Sequence, residues 1–173
     1  MISKNMMESL NRHMNLELNS AHIYLSMSSC ANSLGLKGAA NWFMVQYREE
    51  MTHFMKFYHY LVDQGENVLL SAAEAVPNSY NSLLGLMEKT LAHEQMITKC
   101  INDLSEQAVQ EKDHATQIFL QWFITEQIEE ENNDRDLIGK LKLVGDNGYG
   151  ILMIDAEMGQ RVFTPAPGAP AMV

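Results

Sequence analysis

Helix breakers are scarce in this chain. It has 4 Pro and 10 Gly in 173 residues, and Pro165, Pro167 and Pro170 all lie near its end. A body so poor in both residues favours an all-α fold. Cysteine is nearly absent as well. Cys30 and Cys100 stand far apart and form no CxxC pair, which argues against a disulfide framework or a thiolate zinc site and suits reduced, partly buried thiols. No apolar run approaches the length of a membrane span. Residues 1–10 lack the apolar core that follows a basic stretch in a signal peptide, so a cytoplasmic location is the expectation. Positive charge is also short: 12 Lys and Arg face 22 Asp and Glu, a net charge of -10. Such a surface repels nucleic-acid phosphates and attracts cations, although solubility alone would account for it too. Neither nucleic acid nor membrane is an expected partner.

What is present suits one domain with a sizeable core, since 46% of the residues are apolar. Helical periodicity runs through residues 3–33, 38–64, 82–110 and 112–143, with Ser3 and Ser82 as candidate N-caps. A short fifth helix is expected at 149–158, and the Pro-, Ala- and Gly-rich stretch 159–173 reads as an extended tail. Residues 66–81 are too many for a simple turn. Fully extended they reach about 50 Å, whereas a helix of roughly 28 residues is about 42 Å long. That connection can run the whole length of a bundle and make the second and third helices parallel, while the short connections join antiparallel neighbours. The expected architecture is a four-helix bundle with one long crossover and a short C-terminal helix.

Core seams in such a bundle repeat in steps of four and three. They read Leu10, Met14, Glu17, Ala21, Tyr24, Ser28, Ala31 on the first helix and Phe43, Tyr47, Glu50, Phe54, Phe57, Leu61 on the second. The third gives Leu83, Met87, Thr90, Glu94, Ile97, Ile101, Leu104, and the fourth Leu120, Phe123, Gln127, Glu130, Asp134, Leu137, Leu141. Each seam is apolar except near its middle, where an acid or amide interrupts it. An ionised carboxylate in a core must be paired or bound to a cation. No Lys or Arg occupies these positions, so a bound cation is the better account. His53 strengthens it, because Glu50-x-x-His53 sets two ligands on one helical face. One common offset, 77 residues, relates Glu17 to Glu94, Glu50 to Gln127 and His53 to Glu130. A pseudo-twofold of this kind can hold two metal ions about 4 Å apart with Glu50 bridging them.

A ligand set of oxygens with one imidazole and no thiolate suits Fe or Mn. Two iron ions held this close can pass two electrons to dioxygen. Tyr24, on the same seam as Glu17, is near enough for a redox or hydrogen-bonding role. Glu49, Glu126 and Glu129 add acid beside the pair. Because close carboxylates repel unless a cation neutralises them, they mark a third metal position.

Taken together, Met14-Asn-Leu-Glu17-Leu, Glu49-Glu-Met-Thr-His53, His93-Glu94-Gln95 and Leu120-Gln-Trp122 through Glu126-Gln-Ile-Glu-Glu130 resemble a bacterial haem-free ferritin over residues 1–158. The resemblance implies a ferroxidase centre that oxidises Fe(II) with dioxygen or hydrogen peroxide. One iron would be held by Glu17, Glu50 and His53, and the other by Glu50, Glu94 and Glu130 with Gln127 nearby. It further implies a third iron at Glu49, Glu126, Glu129 and Glu130, Tyr24 beside the centre, and a cage of twenty-four subunits in which ferric mineral is stored. The fourth helix lacks the second ExxH of bacterioferritins, since Gln127 and Glu130 stand there. Met51 occupies the place of their haem methionine, but haem-free ferritins carry Met there as well, so haem is not expected. The alternative is a rubrerythrin-like di-iron peroxidase that stores no mineral. It usually needs a Cys cluster and a second ExxH on the fourth-helix seam; this sequence has no Cys cluster, and Gln127-x-x-Glu130 stands where that ExxH would be.

Overall fold

The computed structural model describes residues 2–165, and helices α1 (Lys4–Ser33), α2 (Lys37–Asp63), α3 (Leu83–Gln110), α4 (His114–Val144) and α5 (Gly148–Met158) follow one another with no strand among the described residues. The part of the expected tail beyond Pro165 lies outside the described residues.

Local chemistry explains where each helix starts. Ser3 accepts from the Met6 amide at 2.9 Å and Ser82 from the Gly85 amide at 3.0 Å, as the sequence suggested. Asp113 and Asn147 do the same for α4 and α5. Each cap satisfies an amide that the helix itself cannot, a contribution of about 1 kcal/mol. The turn from α1 to α2 needs a left-handed residue, and Gly35 supplies it at φ +80°.

α1 packs along α2 and α3 along α4, and α1 also meets α3. The segment between α2 and α3 is strapped along α1 by hydrogen bonds. Near one end of α1, Asn15 donates to the Leu69 carbonyl at 2.8 Å, and the Leu69 amide donates to Asn11 at 2.7 Å. Further along, Ser26 donates to the Pro77 carbonyl at 2.7 Å and Cys30 to the Asn78 carbonyl. From Asn11 to Cys30 is roughly 28 Å of helix at 1.5 Å per residue, so the connection travels most of the bundle. This is the expected crossover, and α2 and α3 run parallel because of it. α5 lies against α2 and α4. A Cβ at Gly38 would stand 1.6 Å from the Asp155 carbonyl oxygen, so only glycine allows this approach. The Ala39 amide then donates to Asp155 Oδ1 at 2.8 Å, fixing α5 across the start of α2.

The apolar residues gather into two clusters. One is built on Met6, Leu10, Phe57, Leu61, Ile101 and Phe123, the other on Met27, Phe43, Leu86, Met87, Leu137 and Leu141. All the predicted seam residues are buried except Tyr47, which is half-buried. The acids that interrupt the seams fall between the clusters.

Candidate metal centre

Glu17 on α1, Glu50 and His53 on α2, Glu94 on α3, and Gln127 and Glu130 on α4 are all buried at this waist. Three of them converge tightly: one ligand atom each from Glu17, Glu50 and His53 lie within 4.8 Å of one another. His53 Nδ1 faces Glu50 Oε2 at 3.4 Å and Glu17 Oε2 at 4.0 Å. Both of those oxygens are buried and lack a hydrogen-bond partner among the described residues. Two carboxyl oxygens that face an imidazole nitrogen with no amide or hydroxyl donor of their own are what a cation would satisfy.

The charges agree with this geometry. Burial pushes the His53 pKa down, and Glu17 only partly opposes the shift, so the ring is neutral near pH 7 and its lone pair is free to ligate. Burial works against a charge on Glu17, but His13 and His53 outweigh it and hold that carboxyl down to about 2. His13 Nε2 sits 2.9 Å from Glu17 Oε1, which orients the carboxylate and leaves Oε2 facing Glu50 and His53. Burial, then Glu17 and Glu94, push Glu50 well above the usual carboxylate range. Acids this close cannot all ionise without a cation among them.

Glu94 and Glu130 belong to the same electrostatic cluster but do not join the compact trio. Tyr24 donates its hydroxyl to Glu94 Oε1, and Gln127 Nε2 donates to Glu94 Oε2 at 2.9 Å. Gln46 Nε2 donates to Glu130 Oε2 at 3.1 Å. Burial raises Glu94 to about 7, against the pull of the Gln127 and Tyr24 hydrogen bonds. Burial and Glu94 raise Glu130 to about 7 as well. The Tyr24 hydroxyl, buried among Glu94, Glu50 and Asp134, is held well above its ordinary pKa and stays a donor.

Beside the waist, Glu49 and Glu126 are half-buried and Glu129 is exposed. Burial raises Glu49 to about 7; Arg161 opposes this, and Glu130, Glu126 and Glu129 add to it. These acids therefore share one neighbourhood, as the spacing suggested. The seams themselves bring no basic residue, but Arg161, from beyond α5, donates to Glu49 Oε2 at 2.7 Å.

Comparison with known proteins is direct at this point. The profile of the ferritin-like domain matches residues 7–144. The chain belongs to the ferritin-like family. It is 39% identical over 159 residues to a protein of Haemophilus influenzae described as a "Probable bacterial non-heme ferritin-like protein", covering 92% of this chain and 96% of that one. It is 37% identical over 163 residues to a bacterial non-heme ferritin of Staphylococcus aureus, covering 94% of this chain and 98% of the relative. Among solved structures, an open pore ferritin from Archaeoglobus fulgidus superposes with a TM-score of 0.93 at 44% identity, covering 94% of this chain and all of that one.

Within this ferritin-like frame, four side chains at the centre had no assigned role in the sequence reading. His13 carried a signal, standing one helical turn before Glu17, as did Gln46, one turn before Glu50. Asp134 was placed on the seam but given no function. It is fully buried, both of its oxygens lack partners among the described residues, and burial followed by Glu94 and Glu130 raises it to about 8. Arg161 carried no local signal, because only the path of the chain after α5 brings it to α2.

Proposed function

We propose that this ferritin-like protein stores and detoxifies iron by oxidising Fe(II) at a two-ion centre and depositing the product as ferric mineral inside a cage of its own subunits. One Fe(II) is held by Glu17, Glu50 and His53. The second is held by Glu50, Glu94 and Glu130 with Gln127 beside it, so Glu50 bridges the ions. Glu49, Glu126 and Glu129, with Glu130, hold a third. Iron is the substrate here. Two Fe(II) ions give two electrons to dioxygen, which takes up two protons and leaves as hydrogen peroxide. When peroxide is the oxidant, the same two electrons and two protons yield water. The carboxylates stabilise Fe(III) more than Fe(II), and Tyr24 and Gln127 hold Glu94 in place through both charge states.

The reading rests on the convergence of Glu17 Oε2, Glu50 Oε2 and His53 Nδ1 in a buried part of the bundle, with neither oxygen given a donor by the described residues. Kinship with bacterial non-heme ferritins and the fold match to an archaeal ferritin support storage over a rubrerythrin-like peroxidase. Tyr149, Leu152 and Met153 leave an exposed apolar face on α5, which fits burial between subunits of the proposed 24-subunit assembly. No helix among the described residues is long and apolar enough to cross a membrane. Cytoplasmic residence, and a domain of residues 1–158 followed by a tail at 159–173, belong to the same proposal.

The test is aerobic titration of the iron-free protein with Fe(II), followed by measurement of iron retained per particle and of particle size. Retention of many more ions than the three proposed positions hold, within a particle of constant outer size, is the expected result. Consumption of peroxide with no retained mineral would reject storage in favour of the peroxidase.

A further inference from the structure

Arg161 returns from the end of α5 onto the start of α2 and is held there at three points. Its backbone carbonyl accepts from Asn41 Nδ2 at 2.9 Å. Its guanidinium lies over the Trp42 ring, 4.6 Å from the centroid. Its Nη2 donates to Glu49 Oε2 at 2.7 Å, in a pair whose side chains are only 21% and 17% exposed. Nη1 is buried with no partner among the described residues, so the cation is not fully satisfied by this arrangement. Its charge also acts on Glu126, Glu130 and Asp134. A half-buried guanidinium thus sits among the acids assigned above to the third iron, with Lys56 also acting on Glu126 from α2.

We infer that Arg161 is a built-in, displaceable counter-ion that keeps the third iron position weak. The inference rests on the third-site reading given above. Glu49 Oε2 cannot give its full charge to Arg161 and to an incoming ion, and a divalent cation entering beside a guanidinium meets like charge at short range in a poorly solvated setting. Iron therefore binds there by drawing Glu49 away from Arg161. The flat guanidinium keeps its seat on Trp42, and the backbone tie to Asn41 does not depend on Glu49. An ion held weakly can move on to mineral, whereas one held tightly would stay and block the position. Arg161 is a positioning residue in this scheme and sets how long iron stays.

The test uses the assembled, iron-free protein and Zn(II) as a redox-silent probe, read by calorimetry. Glu129→Ala should lose the weakest Zn(II) and keep the others; if it binds Zn(II) as the unmodified protein does, the third-site reading fails and the inference fails with it. With that control in place, Arg161→Gln should bind the weakest Zn(II) about tenfold or more tightly. An affinity equal to that of the unmodified protein would overturn the role of Arg161 while leaving the third site standing. If Arg161→Gln does not assemble, Arg161→Lys decides. A point-like ammonium cannot both stack flat on Trp42 and pair with Glu49, so severalfold tighter binding is expected and no change refutes the inference. Emission from Trp42 in a Trp122→Phe background should shift as the weakest Zn(II) binds, because the guanidinium above the ring loses its acid. A purely structural arginine would leave that emission unmoved by Zn(II).

Discussion

The two ends of this bundle and its waist are built from the same four helices but are held together by opposite means. At one end Phe57, Phe119 and Phe123 pack ring against ring, with centroids 4.5–5.3 Å apart, around Leu61, Ile101 and Leu10. At the other, Trp42 meets Phe43 edge-on at 5.1 Å above Leu86, Met87 and Leu141. These regions gain stability simply by leaving water. The waist between them carries Glu17, Glu50, Glu94, Glu130 and Asp134, all buried, and several are driven toward protonation by burial and by each other. The ends thus stabilise the fold and tolerate a waist whose buried acids work against it, a cost the proposed iron would relieve.

If that division is right, damage to an end and damage to the waist should have opposite signatures. Leu61→Ala, in a fully buried position away from the acids, should cost about 3–5 kcal/mol in denaturant unfolding yet spare rapid Fe(II) oxidation in the protein that remains folded. Glu50→Ala should do the reverse. Stopped-flow absorbance should show the fast phase of oxidation slowed about a hundredfold or more, at least as much as the costliest loss of an outer partner of a metal site, while the metal-free protein melts no lower than the parent. An unchanged fast phase would discredit Glu50 as the bridge. Asp134→Leu should raise the stability of the metal-free protein by about 1–3 kcal/mol, because it replaces a buried acid that the described residues leave without a partner by an apolar side chain.

Acidity sharpens the contrast further. Glu94 and Glu130 rise from 4.5 to about 7, and Asp134 from 3.8 to about 8. A group whose folded pKa exceeds its unfolded value supports the fold fully below the unfolded value and loses that support as pH climbs through the folded one. The melting temperature of the metal-free protein should therefore fall as pH rises from about 5 to 9, and bound Zn(II) should flatten the fall. Glu17, held down to about 2, acts in the other direction: its contribution is present above 4.5 and fades only in strong acid. A flat profile without metal would mean that burial does not hold the waist acids above their ordinary pKa values. The smallest effect is expected from Tyr24→Phe, which removes one donor from Glu94 and should slow oxidation only severalfold.

Much of this was legible in the sequence because helical spacing is a strong constraint. Steps of three and four placed Glu17, Glu50, Glu94, Gln127 and Glu130 on the inner faces, and packing four helices buries them all at one waist, although Glu94 and Glu130 stay outside the compact trio of Glu17, Glu50 and His53. The crossover followed from the length of the connection alone. What spacing could not supply was pairing between distant segments. Gln46 lies on a predicted helix, but nothing local says that it donates to Glu130. Asp134 was placed correctly on the seam, yet its isolation depends on what the other three helices fail to offer it. Arg161 reaches Glu49 because Gly38 lets α5 settle against α2, a contact between positions more than a hundred residues apart.

The strap of residues 64–82 along α1 has one more consequence. α1 with α2 and α3 with α4 are each local hairpins, and this strap is their only covalent link. Glu17, Glu50 and His53 sit on the first hairpin, and Glu94, Gln127 and Glu130 on the second. A protease cut within the strap would leave two fragments, each bearing half of the proposed ligands, and under that proposal their reassociation would depend on metal concentration.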